Sequence, residues 1–134
     1  MLLAAACTSQ SATRSSDHPS AVPTSLPTLN ETFAPVPCDD STDVGEEGCQ
    51  EQRVLDADKQ VNALVAKAWD KGDAKDRALL AAAESDWRAF RQSFCDYEAD
   101  QYRGGSIVPT VIAQCVADLT TQHVKDLTAA QPEG

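Results

Sequence analysis

The chain has 134 residues, about one domain's worth, with 21 Asp+Glu against 11 Lys+Arg and a formal charge of −10. That sign excludes an electrostatic grip on nucleic acid or anionic lipid and favours cationic or neutral partners. Apolar residues make up 42%, enough for a core, yet no apolar run approaches the roughly 20 residues of a membrane span. Five cysteines are many for a reducing compartment, and the odd count leaves one for a separate task.

The N-terminus supplies that task. Met1-Leu2-Leu3-Ala4-Ala5-Ala6-Cys7 runs from apolar to small residues and then to a cysteine. It resembles a bacterial lipobox, which implies that residues 1–6 end a signal peptide begun upstream and that Cys7 is acylated. Ala4 stands where such motifs usually carry Leu. From Thr8 to Pro37, 16 of 30 residues are Ser, Thr or Pro, including five of the seven prolines, so little can be buried and extended conformations are favoured. Residues 7–37 are therefore expected to form a disordered, lipid-anchored tether.

Helical periodicity begins after it. Between Gln50 and Trp69, Val54, Leu55, Val61, Leu64, Val65, Ala68 and Trp69 recur at helical spacings. Lys71-Gly72 marks a stop, and Asp73 with Asp76 three residues on is a start signal. A second helix follows, with Leu79 or Leu80, Ala83, Trp87, Phe90 and Phe94 inward and Glu84 four before Arg88 as a surface pair, ending near Tyr97. Gly104-Gly105 breaks the chain, Ser106 is a candidate N-cap, and Pro109 fits a first turn. Val108, Ile112, Cys115, Val116, Leu119 and Leu127 carry the third helix. The fold class is all-α: a small antiparallel bundle of about three helices over residues 38–128, with a frayed tail at 129–134.

Four cysteines remain, and they allow three pairings. Cys95 and Cys115 lie ten residues either side of Gly105, so an antiparallel hairpin turning there would place them face to face. That favours Cys95–Cys115 with Cys38–Cys49. Zinc is disfavoured by the lack of any Cys-x-x-Cys and by His123 having no second histidine near it. No catalytic constellation, metal site or cofactor motif stands out: there is no Gly-x-Ser-x-Gly elbow, and no apolar setting marks a carboxylate pair for acid–base work.

Several segments together resemble the lysozyme inhibitor LprI-like family across Cys38 to Leu127. They are Cys38-x10-Cys49 with Glu46 and Glu47, Leu55-Asp56-Ala57-Asp58 before Val61-Asn62, and Ala83 to Arg91 followed by Cys95. Gly104-Gly105-Ser106 ahead of Cys115 and the stretch Thr120 to Leu127 complete the pattern. Glu84 and His123 depart from it, standing where the family tends to show Gln and Arg. The resemblance implies a small all-α, disulfide-bearing envelope domain, of a family with at least one member known as a lysozyme inhibitor.

Two surfaces suit a basic protein partner. Asp39, Asp40, Asp43, Glu46, Glu47 and Glu51 form an acidic segment without Lys or Arg, able to steer a cation. Tyr97, Glu98, Asp100 and Tyr102 lie in the connection Asp96 to Arg103, where tyrosines flanked by carboxylates could anchor an interface. The expected function is an exported cell-envelope lipoprotein, held on the outer face of a bacterial membrane through Cys7, that occludes the cleft of a cationic lysozyme. The alternative is an accessory protein that binds another envelope component.

Overall fold

The computed structural model describes residues 25–30 and 36–131; Cys7 and most of the tether lie outside them. Three helices follow one another: α1 (Asp43–Lys71), α2 (Ala74–Asp100) and α3 (Val108–Ala130). No strand occurs among the described residues.

The first helix begins well before Gln50. The Thr42 hydroxyl accepts the Gly45 N–H at 3.0 Å, and Asp43 and Glu46 in the first turn face the positive end of the helix dipole. Glycine-rich and acidic, this stretch reads as a loop in sequence, but its glycines serve a close crossing. The incoming chain passes over the first turns of α1, where a Cβ on Gly48 would stand 2.6 Å from the Val36 carbonyl oxygen. Asp39 N–H meets Gly45 O at 3.1 Å in the same crossing.

The α1–α2 corner forms as its residues predict. Gly72 N–H closes on Ala68 O and Trp69 O, and Asp73 and Asp76 cap each other reciprocally at 2.9 and 3.2 Å. At the other corner α2 continues to Asp100, three residues past Tyr97, and Gly104 takes a left-handed φ of 81°. Ser106 does not cap α3. Ile107 occupies that position without a side-chain bond, while Pro109 sits in the first turn as expected. At its far end α3 reaches Ala130.

Helix α3 packs most extensively on α1. Val54, Ala57, Val61 and Val65 of α1 and Ala113, Ala117 and Thr120 of α3 are buried, and the small residues let the helices approach closely. Helices α1 and α2 touch each other little. Part of the sequence assigned to the tether bridges them instead. Leu29 is buried with Val61 and Val65, its N–H bonds Asn62 Oδ1 at 2.8 Å, its carbonyl accepts Asn62 Nδ2 at 3.0 Å, and Arg88 donates to Thr28 O at 2.8 Å. The tether reading is thus corrected over Ser25–Asn30. One leucine and an amide that satisfies both backbone groups suffice to dock an otherwise polar strap.

Other expectations for α2 are also corrected. Phe90 is 53% exposed rather than in the core, while Trp69, Trp87 and Phe94 are half-buried. Glu84 does not pair with Arg88; it is buried and meets His123 Nε2 at 2.9 Å, with the imidazole stacked 3.9 Å from the Trp87 ring. Beside it, Arg91 Nη1 bonds Asp58 Oδ1 at 3.2 Å and Thr120 Oγ1 at 2.9 Å, so one guanidinium joins all three helices.

Candidate partner-binding surface

Both disulfides form as the hairpin argument favours, Cys38–Cys49 and Cys95–Cys115. The first pins the incoming chain to the start of α1; the second pins the end of α2 to α3. They therefore brace the same end of the bundle, and that end gathers the carboxylates. Arg53 of α1 pairs with Asp118 of α3 at 2.8 Å across it.

A groove of about 360 Å³ opens there between the three helices. Glu47 and Glu51 of α1 form one wall, Arg91 and Gln92 of α2 the other, and Pro109, Ile112, Ala113 and Val116 of α3 the floor. Burial, and secondarily the charge of Glu47, raise the Glu51 pKa above the ordinary glutamate value. Ile112 also lines a second, smaller hollow with Asp96, Asp100 and Arg103, so the groove of Glu47 and Glu51 adjoins one bordered by the end of α2.

Asp39 and Asp40 lie in the turn before α1. Asp39 Oδ1 accepts the Ser41 hydroxyl at 2.6 Å and its N–H at 3.0 Å, and these bonds lower its pKa. Asp43 and Glu46 stand exposed on the first turn of α1.

The tyrosine segment is not one loop. Tyr97, Glu98 and Asp100 belong to the last turns of α2, and only Tyr102 lies in the connecting turn. Tyr97 is 68% exposed and extends a ladder of rings, 6.3 Å from Phe94, which is 5.5 Å from Phe90. Tyr102 instead joins Glu98 and Asp118 around a separate groove of about 370 Å³. Asp100 is engaged by its own neighbour, Arg103, which donates through Nε and Nη2 at 2.7 to 2.9 Å.

Residues 38–127 match the family model for lysozyme inhibitor LprI. The chain belongs to that family. No curated protein and no solved structure matches it. Within this LprI-family chain the matched span begins at Cys38 and ends at Leu127 in the last turns of α3, so it takes in both disulfides and the acidic end. The docked strap Ser25–Asn30 lies outside it. Glu84 and His123, both inside the matched span, contact each other.

Sequence reasoning found the acids of the groove but not its floor. Ile112 and Val116 read as core positions on the periodicity of α3, and nothing in a single sequence tells a helix stripe that is fully covered from one left half-open. Gln92 carried no signal. Among the described residues no helix is long and apolar enough to cross a membrane, and no cluster of three or more His, Cys, Asp or Glu side chains could hold a metal.

Proposed function

We propose that this LprI-family protein binds a cationic lysozyme through its acidic, disulfide-braced end and inhibits it by covering the substrate cleft. The observation that carries the reading is the concentration of carboxylates at one rigid end. Asp39, Asp40, Asp43, Glu46, Glu47 and Glu51 lie at the start of α1, and Asp96 and Glu98 lie in the last turns of the antiparallel α2, while most lysines lie on the far half of α1 or in the α1–α2 corner. Such an asymmetric field orients a basic partner before contact and raises its association rate. Two disulfides suit an oxidising compartment outside the cytosol. Acylation of Cys7 would hold the domain at a membrane surface, and a diacyl or triacyl mass on Cys7 is the expected result of mass spectrometry on the membrane fraction.

The deciding experiment is lysozyme activity on cell-wall substrate with the full, oxidised chain, at low and physiological salt. Saturable inhibition that persists at physiological salt and weakens as salt rises is the expected result. Tyr102→Ala and Tyr97→Ala should each weaken inhibition more than Lys125→Ala, which lies on the last turns of α3. A correctly folded chain without effect on lysozyme would overturn the reading.

A further inference from the structure

We propose that the groove between the three helices at the acidic end is a socket for one lysine or arginine side chain of the basic partner. Its alkyl stem lies on Pro109, Ile112 and Val116, and its charged head sits between Glu47 and Glu51. This deepens the lysozyme reading and rests on it.

Three observations converge on that occupant. The first is shape and chemistry: at about 360 Å³ the groove has room for a long side chain, with an apolar floor and carboxylates at one wall. A purely apolar ligand would leave those carboxylates facing it, and a compact hydrated cation would leave the floor wet. A basic side chain satisfies both, since its methylene stem covers apolar surface while its head stays polar.

The second is unmet charge. Glu47 and Glu51 lie one turn apart on the same face of α1, where like charges repel. Among the described residues neither forms a hydrogen bond or an ion pair. Burial and mutual repulsion push the Glu51 carboxyl up, the direction that an arriving cation reverses.

The third is the state of the one cation already at the groove. Arg91 lines it, but its side chain is 6% exposed and its Nη1 is directed to Asp58 and Thr120. It holds the helices together at the base of the socket, leaving Glu47 and Glu51 to an external cation. The socket is also rigid: Cys38–Cys49 fixes the start of α1, and Cys95–Cys115 fixes α3 beside Ile112 and Val116. A preformed site loses little freedom on binding.

The test is calorimetric titration of a basic lysozyme with the full, oxidised chain at physiological salt. Glu47→Gln with Glu51→Gln should weaken binding about tenfold or more, as loss of a partly desolvated charge contact does. Asp40→Asn with Glu46→Gln removes the same charge from the same end outside the groove and should cost less than about threefold, the signature of steering alone. Ile112→Asn leaves the charge unchanged and should also weaken binding, about fivefold, through the lost floor. Thermal unfolding of each variant establishes that it is folded. Equal losses in the two charge-neutralised pairs, or an Ile112→Asn variant that is folded and binds normally, would overturn the socket while leaving lysozyme binding intact. A wild-type chain that binds no lysozyme would overturn both.

Discussion

The two ends of this bundle are built from the same helices by different means. At the end where α1 begins and α2 finishes, covalent links do the holding. Two disulfides brace a surface rich in carboxylates, where Glu47 and Glu51 repel each other. At the opposite end charges of both signs alternate, as in Asp70, Lys71, Asp73, Lys75, Asp76 and Arg77, and non-covalent devices suffice: a reciprocal cap at the corner and a docked strap. The difference teaches that one-sided surface charge is a stability cost which cross-links can offset. Between the ends, Arg91 ties the three helices together.

That contrast can be broken from the middle outward. Arg91→Met removes the cation from buried Asp58 and should destabilise the whole domain by about 3–5 kcal/mol, read as a single shifted transition in urea. Replacing Cys95 and Cys115 by Ala should cost about 3 kcal/mol and should lower lysozyme affinity too, because it loosens the acidic end. Leu29→Ala acts at the strap and should cost about 2 kcal/mol in thermal unfolding, with little change in affinity, since Leu29 packs on Val61 and Val65 and lines none of the groove. Thr42→Ala should cost about 1 kcal/mol through the lost cap of α1.

The smallest effect is a pH dependence that sharpens the picture of the acidic end. Glu51 is raised in the fold, so the native state keeps a proton that the unfolded chain has released. Its contribution to stability therefore falls as pH rises from the ordinary glutamate value through the raised one. Glu47 on α1 and Arg91 on α2 face the same groove, whereas α3 offers it only apolar groups. Glu51→Gln should flatten that segment of a stability-versus-pH curve, and Glu47→Gln should flatten it less. Asp39 acts oppositely: Ser41 lowers its pKa, so its contribution is present above the ordinary aspartate value and is lost as pH falls.

Much of the scaffold was legible because it rests on local rules. The stripes of Val54, Val61 and Val65, the Asp73/Asp76 cap, the Gly104 turn and the cysteine spacing about Gly105 all state their role in a few residues. The misses share a cause. The first turns of α1 look like a loop because Gly45 and Gly48 answer to a chain crossing them, not to helix propensity. Glu84 has a suitable partner four residues on in Arg88, but an exposed pair of that kind is worth only about 0.2–0.5 kcal/mol. A buried bond to His123, from another helix, prevails. Phe90 fits the apolar stripe of α2 and is nevertheless exposed, because a helix packed mainly on one neighbour covers a narrower stripe than the pattern suggests.

The sequence by itself determined the number of helices, the α1–α2 corner, the acidic charge and the family resemblance, and it favoured the disulfide pairing without fixing it. Each depends on residues close in the chain, or on their sum. Tertiary structure alone decided that the groove of Glu47 and Glu51 adjoins one bordered by the end of α2, that Tyr97 and Tyr102 serve different parts of the surface, and that Leu29 belongs to the core. It also decided that Ile112 and Val116 floor an open groove. Those facts depend on which faces of which helices meet, and that is settled by packing across tens of residues of separation, where local periodicity carries no information.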